Sequence, residues 1–224
     1  MSLIVIEGVD GAGKSTQIRR LQRHLAAQQK TYHFLHFPRT ADSSVYGDLI
    51  ARFLRGELGN IQQVNPYLVA LIYAGDRADC REQLLTWLHA GDIVLLDRYV
   101  YSNVAYQCAK VSLEEVQTLK DWILDLEFRY FRLPVPDLNI FLDVPFQFTR
   151  ERLTAQRTGG ERDYLRGKSD IHEADLAFQQ RVHDVYMTLD ANDHFCRIDC
   201  SGGGSGMLPP DAIFEQILRQ LPAL

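Results

Sequence analysis

The stretch Leu3-Ile4-Val5-Ile6-Glu7, followed by Gly8-Val9-Asp10-Gly11-Ala12-Gly13-Lys14-Ser15, constrains this chain more than any other. It matches G-x-x-x-x-G-K-[ST], a pattern that carries meaning only between an apolar strand and an amphipathic helix. Both flanks are present. Ile18, Leu21, Leu25 and Ala26 recur at helical spacing, which predicts a helix over Lys14–Gln29. In that setting the glycines let the backbone curl until successive N–H groups face phosphate oxygens. The helix start adds the positive end of its dipole. Lys14 would reach the β and γ phosphates, and Ser15 would ligate Mg²⁺. The predicted phosphate-binding stretch is Gly8, Val9, Asp10, Gly11, Ala12, Gly13, Lys14, Ser15 and Thr16. The motif implies a bound phosphate chain and leaves its acceptor open.

The rest of the chain alternates strands and helices. Tyr32–Phe37 reads as a strand ended by Pro38, and Val45–Leu54 as a short helix. Asn65-Pro66 is a start signal for a helix running to Ala90, where Gly91 stops it. Ile93–Asp97 and Leu138–Asp143 are compact apolar strands. Ser112-Leu113-Glu114-Glu115 is a capping box opening a helix between them. Ile171–Leu189 reads as helix and Phe195–Asp199 as a last strand. Ser201–Gly206 is a loop, and Pro209-Pro210 introduces a final helix. Short apolar strands without period-two alternation imply burial on both faces. The expected fold is a doubly wound α/β sheet of five parallel strands, forming one domain over residues 1–224.

Net charge is −5, which argues against a protein that coats a nucleic-acid backbone. Cys80, Cys108, Cys196 and Cys200 show no C-x-x-C spacing, so free thiols in a reducing compartment are expected. No signal segment precedes the glycine loop, and no apolar run is long enough to span a bilayer. The expected location is the cytoplasm.

Several residues beyond the loop sit where α/β ligands gather, at the carboxyl edge of the sheet. Asp97 ends a strand and is placed to hold Mg²⁺ or its waters, the alternative being a capped loop. Asp143 also ends a strand, has no basic neighbour, and reads as structural. Arg39, Arg77 and Arg98 fall at strand ends or on helices around one edge, and guanidinium forks suit anionic oxygens. Tyr73 lies four residues before Arg77, so on a helix the two share a face. Its ring would either stack on a base or pack into the core.

The stretches EGVDGAGKSTQ, HFPR, YAGDR, LLDRYVYSNVAYQ and LPVPDLNIFLDV, and the basic region leading to DIHEADLAF, occur in one order over most of the chain. In these the chain resembles the thymidylate kinases of the nucleoside monophosphate kinase superfamily. The resemblance implies transfer of the γ-phosphoryl group of MgATP, held on Gly8–Thr16, to dTMP. It implies that Arg39 and Arg98 hold the acceptor phosphate, that Tyr73 stacks on thymine, and that Arg77 bonds its carbonyl edge. Asp10 would contact the deoxyribose hydroxyl, and Tyr106 would disfavour a 2′-hydroxyl. Asp97 would serve the Mg²⁺ and phosphate region. The Ser201–Gly206 loop would lie near adenine. The stretch at about residues 150–170 would be a lid, and the protein a homodimer.

Some members of that family carry an arginine just after the loop aspartate; here the position is Gly11. Members with glycine there place a catalytic arginine in the lid. The lid stretch contains Arg150, Arg152, Arg157, Arg162, Arg166 and Lys168, interleaved with Glu151, Glu161 and Asp163. The predicted catalytic set is therefore Lys14, Asp97, Arg98 and one of Arg157 or Arg162. Gly8–Ser15 also fits G-x-x-G-x-G-K-[ST], found in kinases of other small acceptors such as shikimate. A GTP-binding switch would need N-K-x-D, and the chain has no Asn-Lys pair. A motor or transport ATPase finds only a faint echo in SGGG near Ser201.

Overall fold

The computed structural model describes residues 2–40, 45–61, 63–154, 164–165, 170–173, 175–189, 194–204 and 206–222. Its centre is β1 (Ser2–Glu7), buried along its whole length. Parallel to it lie β3 (Ile93–Asp97) on one side and β4 (Leu138–Asp143) on the other. The edges are β2 (Tyr32–His36), on β3, and β5 (Phe195–Asp199), on β4. The order is β2-β3-β1-β4-β5, all parallel, as the alternation of elements predicts.

Two apolar layers cover the sheet, because successive strand side chains point to opposite faces. Ile4, Ile6, Leu95 and Ile140 join one core with Ile18, Leu21 and Leu25 of α1 (Lys14–Ala27). The same core takes in α5 (Val100–Cys108), α6 (Leu113–Leu124), α8 (Leu176–Tyr186) and α9 (Pro210–Gln220). Leu3, Val5, Val94 and Leu96 face the other way, onto Leu84 and Leu88 of α4 (Arg81–His89). A third, smaller cluster joins α2 (Val45–Leu54) to α3 (Pro66–Asp79) through Ile50, Phe53 and Val69. The edge strands β2 and β5 are the exceptions to burial on both faces, each only partly covered.

Local signals set most boundaries. Asn65 caps α3 by accepting from Tyr67 N at 2.9 Å, with Pro66 in the first turn. Ser112 and Glu115 form the reciprocal capping box of α6. The segment expected as one helix over 66–90 is two, α3 and α4, broken at Cys80 (φ −107°, ψ 11°). No glycine or proline marks the break. It separates residues tied to other segments, Asp76 and Arg77, from Leu84 and Leu88, which pack on the sheet.

α8 likewise begins at Leu176 rather than Ile171, where Asp175 accepts from Phe178 N at 2.9 Å. Ile171 instead donates its N–H to Leu54 O, anchoring a turn against α2. Asp143 keeps a structural role, but with basic partners from afar: Arg197 of β5 and His183 of α8. α7 (Phe146–Thr154) follows β4 and carries Arg150 and Arg152. Arg157, Arg162, Arg166 and Lys168 lie outside the described residues. None of the described helices is long and apolar enough to cross a membrane.

Candidate active site

The glycine loop joins β1 to α1 at the carboxyl edge of the central strand. Gly11 (φ +83°) and Gly13 (φ +84°) are left-handed, a conformation that lets the loop turn back on itself. Gly13 is the N-cap of α1 and offers no side chain, so the first-turn N–H groups have no side-chain cap competing for them. Val9 and Ala12 are buried and anchor the loop from beneath. Lys14 curls over it, donating from Nζ to Gly8 O at 3.1 Å and Val9 O at 3.0 Å. Burial, and then the nearby Arg98, bring its pKa down to about 8.

Asp97 ends β3 beside this cradle. Its Oδ2 lies 3.2 Å from His36 Nδ1, while its buried Oδ1 has no partner among the described residues. Burial works to raise its pKa, but His36, Lys14 and Arg98 prevail and hold it below the ordinary carboxylate value. A buried ionised oxygen without a partner suits a cation better than it suits a loop cap.

Asp10 is where the loop meets a second cluster of polar side chains. Its carboxylate accepts from Arg98 Nη2 at 2.6 Å, Tyr106 Oη at 2.7 Å and Gln179 Nε2 at 2.9 Å. Burial alone would raise its pKa; Arg98, Lys14 and the Tyr106 hydroxyl outweigh that and keep it well below the usual carboxylate range. Arg98 itself adopts φ +66°, uncommon for a residue with a side chain, and bonds Ser102 Oγ and Tyr106 Oη as well. Arg98, Asp10 and Tyr106 therefore form one connected unit.

The other predicted residues are arranged differently. Arg39 is held by α3, through Asp76 and, more loosely, Asp79. Arg77 is 1% exposed and grips Glu127 through Nε at 2.5 Å and Nη2 at 2.6 Å. Of the three arginines expected around one edge, Arg98 joins Asp10 beside the loop, whereas Arg39 and Arg77 are tied to the carboxylates of Asp76 and Glu127. Arg77 commits its fork to a buried carboxylate, because an unpaired charge there would be too costly. Its Nη1 stays outside that pair. Tyr73 packs on the α2–α3 cluster while remaining half-buried, within the electrostatic reach of Asp170, Arg98, Asp10 and Arg77.

Four residues of this pocket escape sequence reasoning. Glu127 lies in a single π-helical turn, Asp125–Tyr130, a distortion often found at functional sites. Asn103 donates to Glu127 Oε1 at 2.8 Å and to Ala70 O at 3.0 Å, leaving its buried Oδ1 without a partner among the described residues. Gln179 bridges Asp10 to the carbonyl of His172. Asp170 accepts from Tyr164 Oη and His172 N. Asn103 and Asp170 fall within stretches that the sequence singles out, LLDRYVYSNVAYQ and DIHEADLAF, whereas Glu127 and Gln179 carried no signal.

Burial, then Asp10 and Glu173, push the Asp170 carboxyl up to about 7. A carboxyl raised above its unfolded value stabilises the fold in acid, and that contribution is lost as pH rises through the folded value. That term should therefore lower the melting temperature between about pH 4 and pH 7. Asp170→Asn is expected to flatten that fall, read by thermal melts across the range; an unchanged slope would dismiss Asp170 as its source.

An anion cradle and an arginine-bearing pocket meeting at one loop aspartate, on this parallel sheet, define a phosphate-loop kinase of the nucleoside monophosphate type. A family model described as thymidylate kinase matches residues 6–203. The thymidylate kinase of Mycobacterium tuberculosis (strain H37Rv) is 36% identical over 189 residues, spanning 84% of this chain and 86% of that protein. A probable thymidylate kinase of Thermococcus onnurineus is 35% identical over 192 residues, spanning 83% and 82%. A solved thymidylate kinase from Candida albicans superposes with a TM-score of 0.71 at 26% identity, covering 97% of this chain and 89% of that one. The chain belongs to the thymidylate kinase family, ATP-dependent kinases whose reaction is phosphorylation of dTMP.

Proposed function

We propose that this chain binds MgATP on Gly8–Thr16 and dTMP in the pocket around Arg98, and moves the γ-phosphoryl group between them. An acceptor phosphate oxygen forms the new P–O bond as the bond to the β-phosphate breaks, giving dTDP and ADP. The observation that carries this reading is the Asp10–Arg98–Tyr106 unit, which fixes the acceptor side to the donor loop itself. The acceptor is already an oxyanion, so alignment and charge neutralisation do most of the work.

Arg98 and Arg39 hold the acceptor phosphate, and Lys14 neutralises the β and γ oxygens. Tyr73 stacks on thymine. Arg77 Nη1 donates to a thymine carbonyl, and Asn103 Oδ1 accepts the ring N–H beside it. The Tyr106 ring, fixed by its bonds to Asp10 and Arg98, stands against a 2′-hydroxyl. Ser15 and Asp97 Oδ1, which has no partner among the described residues, fit Mg²⁺, which would supply charge screening on the donor phosphates when bound.

The residues at about 150–170 act as the lid, and Arg157 or Arg162 within them supplies the charge that Gly11 does not. We place the single-domain protein in the cytoplasm, in keeping with its four free thiols. Exposed Leu68 and Leu71 of α3 and Leu113 and Trp122 of α6 suit a second copy, and sedimentation showing only monomer would remove that contact.

The deciding test is an acceptor screen followed as ADP release, with dTMP, dUMP, UMP, CMP, dGMP and shikimate. We expect dTMP to give the highest kcat/KM. Turnover led by UMP or CMP would assign a different acceptor, and ADP release independent of any acceptor would make the chain a plain ATPase.

A further inference from the structure

Glu7 is fully buried, yet no step above uses it. Its carboxylate is satisfied by four donors. Oε1 accepts from Tyr99 N at 3.0 Å and Ser102 N at 3.2 Å; Oε2 accepts from Ser102 Oγ at 2.5 Å and Tyr186 Oη at 2.9 Å. Three of these donors, two of them backbone N–H groups, belong to the start of α5. Tyr99 is the N-cap of that helix and makes no cap of its own, since its phenol bonds Pro134 O. A carboxylate from β1 therefore does from across the sheet what an N-cap side chain does locally. It satisfies N–H groups at the start of the helix.

The residue between β3 and that cap is Arg98. Its left-handed backbone is held on both sides by the end of β1: Ile6 O accepts from Arg98 N at 3.0 Å, and Glu7 accepts from Tyr99 N. An unfavourable backbone conformation persists only where its surroundings over-determine it. The next residue after Glu7 is Gly8, the first of the phosphate loop, so one junction fixes both the donor loop and the acceptor arginine.

We propose that Glu7 is a positioning residue: by capping α5 from β1, its carboxylate holds Arg98 in its left-handed turn with the guanidinium aimed at Asp10 and the acceptor phosphate. This rests on the reading of Arg98 as an acceptor residue, and the test separates the two. Glu7→Ala should lower kcat/KM for dTMP by up to ~100-fold, because small misplacements of an aligning group have effects of that size. The KM for MgATP should stay within about threefold, since the loop backbone and Lys14 are untouched.

Glu7→Gln keeps the shape and an Oε1 acceptor but loses the charge, so a smaller fall of about 5–10-fold is expected. It carries the test if the alanine variant does not fold. The second readout is the NMR signal of the Arg98 Nε–H group, expected to shift and broaden in Glu7→Gln. Folded variants with kcat/KM for dTMP within twofold of wild type, or with KM for dTMP and MgATP rising together, would overturn the proposal. So would an unchanged Arg98 signal. Wild-type protein that does not turn over dTMP would instead sink the acceptor reading, and the Arg98 signal would still decide the role of Glu7.

Discussion

Arg98→Lys is expected to lower kcat/KM for dTMP by ~10²–10³-fold, the scale set by removing one preorganised donor from a transition state. Lysine keeps the charge but loses the fork. A single ammonium at the end of a flexible stem cannot hold Asp10, Ser102 and Tyr106 in the geometry that Arg98 gives them. Asp10 is affected as well: Arg98 is the foremost of the cations that hold its pKa down, so its carboxyl should drift back toward the ordinary value. Steady-state kinetics with each substrate varied in turn would read the effect. The KM for MgATP should change little, because the loop backbone and Lys14 remain. A loss of less than fivefold would mean that Arg98 serves the fold and not the acceptor.

The second large effect falls on stability. Arg77→Met leaves Glu127 buried, at 0% exposure, without its cation. Breaking a buried pair in this way costs about 3–5 kcal/mol. For a chain of this size that corresponds to a fall in Tm of roughly 10–15 °C. Among the described residues the Glu127 carboxylate has one further side-chain partner, the Asn103 amide, which is neutral and cannot replace the lost charge. Adding Glu127→Gln should recover more than half of the loss, because an amide oxygen still accepts from Asn103 and no charge is left unpaired. Thermal or urea melts of wild type, single and double variants would measure this. A single variant within about 1 kcal/mol of wild type would show that the carboxyl simply takes up a proton.

These two arginines also show what the sequence makes legible. The phosphate loop can be read because its parts are contiguous: Gly11 and Gly13 turn the backbone that Lys14 then covers. Helix starts at Asn65 and Ser112 can be read for the same reason, since a cap and its N–H lie within three residues. The partners of Arg77 and Glu7 cannot. Glu127 lies 50 positions from Arg77, Ser102 lies 95 from Glu7, and Gln179 lies 169 from Asp10. Only the sheet order brings them together. The break at Cys80 and the late start of α8 were hidden similarly, because tertiary contacts through Arg77 and Ile171, rather than local breakers, set them. The resemblance named the residues around the acceptor, but it could not say that the Arg77 fork is already committed to a carboxylate.

Gly75 lies in α3 between Tyr73 and Arg77, where a Cβ would come within 2.2 Å of the Tyr46 ring of α2. A glycine in a helix interior weakens it by roughly 0.5–1 kcal/mol relative to alanine. Here the ring of a neighbouring helix fills the space that a methyl group would take. α2 and α3 therefore interlock like a ball and socket, and the helix that carries Tyr73 is braced from behind. Mechanical stiffness at Tyr73 is thus supplied by a residue with no side chain and by the ring of the neighbouring helix.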